Sequence, residues 1–225
     1  MTPPVLILCA HGTANPQGQQ VFSALYAAVR DLRPDLRVEL AFVDVQQPSV
    51  VDVVAHWAPV APEVVVVPVL LATGYHVQVD IAEAVAPFGN TCSTAPLGPD
   101  PVLSDILAER VEQAGVAPED VLVVAAAGSS RPEAREAPEQ AARELAQRLR
   151  RTVTVGYGAS AQPTVPDAVR AARPQAGRVV LASYLLAPGH FHDKLHDAGA
   201  DLVTDPLGAD PRLVQLIVRR FEEAR

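Results

Sequence analysis

The chain repeats itself. QQPSVVDVV at 46–54 returns as AQPTVPDAV at 161–169, VLLATGYH at 69–76 as YLLAPGHF at 184–191, PLGPDPVL at 96–103 as PLGADPRL at 206–213, and CAHGTANP at 9–16 as AAAGSSRP at 125–132. The four pairs run in the same order with offsets of about 110 to 116 residues, which points to duplication of one structural unit. Whatever one half folds into, the other must fold into something close to it. Residues 1–115 and 116–225 are therefore expected to form two homologous domains, with 114–120 as the linker.

Each half alternates short apolar runs with amphipathic stretches. In the first, 5–10, 38–43, 64–71 and 91–94 read as strands, and 17–32, 50–57, 78–85 and 101–113 as helices. Asn15 can cap the first helix, with Pro16 at its first position. In the second half 121–126, 152–156, 178–186 and 201–204 read as strands, and 133–149, 165–172, 193–198 and 211–223 as helices. This alternation predicts an α/β fold of two homologous lobes, each a four-stranded parallel sheet flanked by helices with right-handed crossovers. VVVVPVLL, apolar on every side, suits a central strand buried on both faces. In a sheet ordered 2-1-3-4 the connections leaving strands one and three diverge, and the crevice at their carboxyl ends takes the ligand. His11 follows strand one and His76 follows strand three, so the two are expected to face each other there.

Composition narrows the partners. The apolar residues, 49% of the chain, are mostly Val, Leu and Ala, which suits sheets covered by small-residue helices. The formal charge is −8, and the basic residues are scattered Arg with Lys194 the single Lys, so nucleic acid is not an expected partner. An anionic substrate would need local donors, because the field of the whole protein does not draw it in. Cys9 and Cys92 are too few for a disulfide framework. No apolar run approaches the roughly 20 residues of a membrane helix, and the N-terminal run lacks the pattern of a secretion signal. No membrane association and a cytoplasmic location are expected.

Two neutral imidazoles could bind Fe²⁺, Co²⁺, Ni²⁺ or Zn²⁺ and leave other coordination positions open to water or substrate. Imidazole also accepts a proton near neutral pH. Gly12 and Gly74 beside the two histidines would let backbone approach a ligand closely. One such histidine could be an inert polar residue at a strand end; a pair at the switch point argues for function.

HGT after the first strand, QPS after the second and PVLLATGYHVQVDI along the third resemble the sirohydrochlorin chelatases of cobalamin and siroheme biosynthesis, in their two-domain form. Through the duplication the resemblance covers nearly the whole chain. It implies a lyase of porphyrin-type biosynthesis that inserts a divalent metal, Co²⁺ or Fe²⁺, into sirohydrochlorin without ATP. The metal is then a substrate, and no organic cofactor is implied. The resemblance assigns catalysis and metal binding to His11 and His76, with His11 as the base; on the sequence alone either imidazole could be the base. It assigns substrate contact to Leu71, Ala72, Thr73, Gly74 and Tyr75, with Gln47 at the second loop. Insertion expels pyrrole N–H protons, so the site needs a metal ligand that can be lost, a base and a wide cavity. The carboxylates of the substrate are expected to meet backbone N–H groups at the helix starts after Asn15, Gln47 and Tyr75, with Arg131 and Arg135 as a further source of positive charge.

The chain departs from that family in two places. Gln47 stands where relatives often carry Glu, and a carboxamide cannot act as a base. In the second half Ala127 replaces His11 and Phe191 replaces His76, which makes that half a degenerate wall or lid. GHFHDKLH in the second half still offers His190, His192 and His196, with His192 and His196 spaced to share a helical face. His190 and His192 could contribute to the cleft from the second lobe, but without a Cys or carboxylate completing a ligand set the polar helix start is the favoured reading. A ferrochelatase for a later porphyrin and a non-catalytic metal or tetrapyrrole carrier are the rival readings. The duplication would let a monomer do what a single-half relative does as a dimer.

Overall fold

The computed structural model describes residues 3–72, 74, 77–175 and 177–225. The first half runs β1 (Val5–Ala10), α1 (Pro16–Leu32), β2 (Arg37–Phe42), α2 (Val50–Trp57), β3 (Val64–Pro68), a π-helical turn (Val77–Ile81) continuing into α3 (Ala82–Val85), β4 (Thr91–Ser93) and α4 (Pro101–Gln113). The second runs β5 (Val121–Ala126), a 3₁₀ turn (Pro132–Arg135) continuing into α5 (Glu136–Leu149), β6 (Val153–Tyr157), α6 (Val165–Ala172), β7 (Val179–Tyr184), α7 (His190–His196), β8 (Leu202–Val203) and α8 (Pro211–Glu223). Both sheets are parallel throughout, ordered β2-β1-β3-β4 and β6-β5-β7-β8, as the alternating pattern predicts.

β3 stops at Pro68 and β7 at Tyr184, short of the apolar runs that announce them. Proline has no N–H to carry the ladder on, and the chain beyond turns to loop bonds: Val69 N–H to the Cys9 carbonyl at 2.8 Å and Leu97 N–H to the Leu70 carbonyl at 2.9 Å. Leu70 still packs on the core, so apolarity outlasts the strand. In β1, Val5, Ile7 and Cys9 face Val50, Val53 and Val54 of α2, with Ile81 and Ala84 beside them. By the pleat, Leu6 and Leu8 point the other way, and both are buried. Each such side chain contributes roughly 1.5–3 kcal/mol through burial. The second sheet repeats this, with Val123 and Ala125 packed on Val165, Val169 and Leu195.

The compact units are not the two repeats. One consists of residues 1–98 with 209–225, the other of 99–208. Helix α8 packs on α1 and β3, whereas α4 packs on α5 and β7. Two arginines fasten this arrangement: Arg220 of α8 donates to the carbonyls of Pro96 (3.1 Å) and Leu97 (3.4 Å), and Arg110 of α4 to those of Pro206 (3.1 Å) and Leu207 (2.8 Å). The division at 115/116 marks the duplication; packing divides the chain at 98/99 and 208/209. Among the described residues no helix is long and apolar enough to cross a membrane.

Candidate active site

Cys9 pairs with Ala41 of β2 on one side and Pro68 of β3 on the other, so β1 reaches the carboxyl edge of its sheet between two neighbours. From there β1 leads into α1, which packs with α8, while the chain after β3 leads into α3, which packs with α2. The connections diverge, and the switch point lies between β1 and β3. His11, half-buried, stands on that edge.

The backbone around His11 is tied down from two directions. Its carbonyl accepts the Asp44 N–H at 3.1 Å. Gly12 has φ +94°, and a Cβ there would fall on the Asp44 carbonyl oxygen, so only glycine fits between the two loops. Thr13 donates its N–H to the Gln46 side-chain oxygen at 2.9 Å. Behind it, the Thr13 hydroxyl accepts the Asn15 N–H at 3.1 Å and its carbonyl accepts Gln19 Nε2 at 2.9 Å. The turn carrying the imidazole is thus fastened to the loop after β2 and to α1.

Beneath it, burial first and the negative charge of Asp80 second push the Cys9 thiol up to about 12. Cys9 therefore stays protonated at neutral pH.

Of the other residues expected at the site, Leu71, Ala72 and Gly74 lie just beyond β3, each half-buried. His76, Thr73 and Tyr75 lie outside the described residues. Gln47 uses its side-chain oxygen to accept the Ser49 N–H at 3.0 Å, closing its own turn ahead of α2. Ser49 in turn caps α2 by accepting the Asp52 N–H at 3.1 Å. The start of α1 differs from the expectation. Asn15 Oδ1 takes the N–H groups of Gln17 (2.9 Å) and Gly18 (3.3 Å), the Asn15 carbonyl takes that of Gln19 (3.0 Å), and Pro16 has none. A well-formed cap consumes the donors that were to meet substrate carboxylates. Sequence reasoning reaches Asp44 as a nearby carboxylate but gives neither it nor Gln46 a role; the signal was in the repeat itself, where they become Ala159 and Ala161.

The matching edge of the second unit has the same backbone. Gly158 donates to the Ala126 carbonyl (2.8 Å) and Ala159 to the Ala127 carbonyl (2.9 Å), as Val43 and Asp44 do to Ala10 and His11. Gly128 has φ +86°, and a Cβ there would strike the Ala159 carbonyl. Phe191 packs its ring over Gly158. His190 is exposed and edge-on to Phe191 at 5.6 Å. His192 places Nε2 3.2 Å from the Thr204 carbonyl and meets His196 edge-to-face at 5.2 Å. Arg135 lies over the Tyr157 ring at 6.0 Å, and the Tyr157 hydroxyl donates to Glu139 at 3.3 Å. Among the described residues no group of three or more His, Cys, Asp or Glu side chains is arranged to hold a metal ion.

Two four-stranded parallel α/β sheets, built by duplication, with a histidine turn at the switch point of one, define a chelatase-type fold. SirB from Bacillus subtilis with Fe³⁺ has a TM-score of 0.83 at 18% identity, covering 99% of this chain and 95% of that one. The sirohydrochlorin chelatase SirB from Bacillus subtilis subspecies spizizenii in complex with cobalt has a TM-score of 0.78 at 17% identity over the same shares. The CbiX family model matches twice, over residues 5–114 and 121–224, and the chain belongs to that family. Among sequence relatives, the sirohydrochlorin cobaltochelatase of Methanothermobacter thermautotrophicus is 27% identical over 131 residues, which cover 91% of that protein and 48% of this chain.

Proposed function

We propose that the protein inserts a divalent metal, Co²⁺ or Fe²⁺, into sirohydrochlorin without a nucleotide, as a step of cobalamin or siroheme biosynthesis. The observation that carries this reading is the His11 turn. An imidazole that can hold a metal and accept a proton stands on a backbone fixed by Gly12, Asp44 and Gln46 at the switch point of a CbiX sheet.

The chemistry asks for little beyond placement. The metal arrives with water ligands and must leave its protein ligand for the pyrrole nitrogens, which lose their protons as it enters. A neutral imidazole suits both parts: it binds Fe²⁺ or Co²⁺ without a charge to trap the ion, and it can take up a released proton. His11 is assigned as that base, and His76, placed by sequence after β3, as the second metal ligand. His192, with its ring nitrogen at the Thr204 carbonyl, is assigned a structural role, and the second repeat the role of a degenerate partner. The protein is assigned as a monomer.

The test is anaerobic absorbance spectroscopy of sirohydrochlorin with Co²⁺ and, separately, Fe²⁺, against the uncatalysed rate. Multiple-turnover acceleration supports the reading, and the faster metal points to the pathway. Stoichiometric pigment binding without acceleration overturns it in favour of a carrier.

A further inference from the structure

The loop after β2 carries a side chain that suits neither its backbone nor its surroundings. Among the described residues three that are not glycine have positive φ: Val45 at 61°, Arg150 at 52° and Ser160 at 56°. Arg150 ends helix α5, a common place for this conformation. Val45 is β-branched, for which the left-handed region is a true outlier, and it is 57% exposed. The strain is demanded by the loop, since Ser160 occupies the matching place in the second repeat with nearly the same φ. Valine is not demanded by it. The protein's own second copy makes the turn with a small polar residue that faces solvent at less cost.

The valine is also rigidly presented. Its N–H is bonded to Asp44 Oδ1 at 2.7 Å. On one side Asp44 donates to the His11 carbonyl, and on the other Gln46 accepts from Thr13. Val45 stands directly between the two residues whose bonds hold the His11 turn. A strained conformation held by its surroundings and placed beside a reactive group calls for a functional explanation.

We infer that Val45 is a substrate-contacting, specificity-determining residue that sets an apolar contact against the ring system of the tetrapyrrole. This rests on the chelatase reading above. A tetrapyrrole is a flat apolar macrocycle fringed with carboxylates, and a protein of formal charge −8 gains little from long-range attraction to those carboxylates. A fixed apolar knob recovers affinity from the ring, and because it is already ordered it loses little freedom on binding. The capped start of α1 has its first N–H groups turned to Asn15 and supplies none for the same purpose.

Val45→Ser, the residue of the second repeat, and Val45→Asn, which accepts positive φ, are compared with wild type in metal insertion and thermal melting. The KM for sirohydrochlorin is expected to rise about threefold to tenfold in both, with the KM for the metal within about twofold and the melting temperature unchanged or higher. Val45→Ile, which keeps both strain and apolarity, is expected to hold the wild-type KM. A tetrapyrrole KM within about twofold of wild type in the Ser and Asn variants, or a rise shared by Val45→Ile, overturns the inference and leaves the chelatase reading standing. If wild type binds the pigment without metallating it, the same comparison is read from absorbance titration as Kd, so the chelatase reading falls and this inference is still decided. A wild type that neither binds nor metallates sirohydrochlorin overturns both.

Discussion

The turn at 10–13 with its partner loop at 42–49, and the turn at 126–129 with its partner loop at 157–164, are two copies of one backbone carrying different chemistry. Both place a glycine at positive φ under a carbonyl of the neighbouring loop, both tie the loop to the turn through paired N–H donors, and both cap the following helix with Ser49 or Thr164. In one copy the side chains are His11, Asp44, Val45 and Gln46; in the other they are Ala127, Ala159, Ser160 and Ala161. The backbone persists because its glycines sit under carbonyls of the neighbouring loop and its N–H donors are paired across to the turn. The side chains at the edge can change without altering that backbone, as the second copy shows. Fold and function thus part at the Cβ.

That comparison is sharpened most by His11→Ala. Insertion is expected to fall by about 10²- to 10⁴-fold, toward the uncatalysed rate, while His192→Ala changes the rate by less than about twofold. Anaerobic absorbance kinetics measure both. Equal losses would mean that the second repeat retains chemistry after all.

Gly12→Ala and Gly128→Ala put the same methyl into the same crowded place. Each is expected to cost about 1–3 kcal/mol, read by chemical denaturation. Only Gly12→Ala is expected to abolish activity beyond its effect on stability. If Gly128→Ala inactivated the protein while it remained folded, the two loops would not be independent.

Gln46→Ala rewrites the active loop with the residue of the inactive one. Loss of the bond to the Thr13 N–H is expected to cost about 1 kcal/mol in stability. It should slow insertion about fivefold to tenfold by loosening the turn under His11, a loss that Gln46→Glu, which keeps the acceptor, should largely avoid. Steady-state kinetics on the three proteins decide it.

The last comparison concerns the opposite edges of the sheets. In the second unit the Arg178 guanidinium grips Asp120 with bonds of 3.0 and 2.6 Å, joined by the Ala117 N–H at 2.7 Å, and the Asp120 side chain is 2% exposed. The corresponding place in the first unit has Glu63 with Arg225, both partly exposed. Hydrogen bonds from Arg178, then from the Ala117 N–H, hold the Asp120 carboxyl below its ordinary 3.8. A lowered folded-state value means that the stabilisation is present above 3.8 and disappears as pH falls through the lower value. Asp120→Asn is expected to cost about 1–2 kcal/mol at neutral pH, a difference that shrinks below pH 3.8, while Glu63→Gln costs less than about 0.5 kcal/mol. Urea denaturation from neutral to acid pH tests the pair.

Much of this was legible in the chain. The repeat, the β/α alternation and the buried run of β3 led to both sheets and their strand order, because strand burial and helix amphipathicity are written in local periodicity. His11 could be placed at the switch point because it follows β1 directly. The repeat marks Asp44, Val45 and Gln46 as positions that differ between the halves, but not their roles, which depend on a carbonyl and an N–H of the His11 turn and on a backbone angle, none of which has a sequence period. The cap at Asn15 was legible, yet its consequence was not, since a side chain able to cap a helix also consumes the donors that a ligand would use.

The sequence by itself determined a duplicated α/β protein with a histidine turn at the carboxyl edge of one sheet. Only tertiary structure decided that the compact units exchange their last helices, with Arg220 and Arg110 on the carbonyls at 96–97 and 206–207. An amphipathic helix carries its apolar stripe wherever it docks. Its own sequence records that it must be buried, and the choice of sheet is made by the surface that three-dimensional packing brings to it.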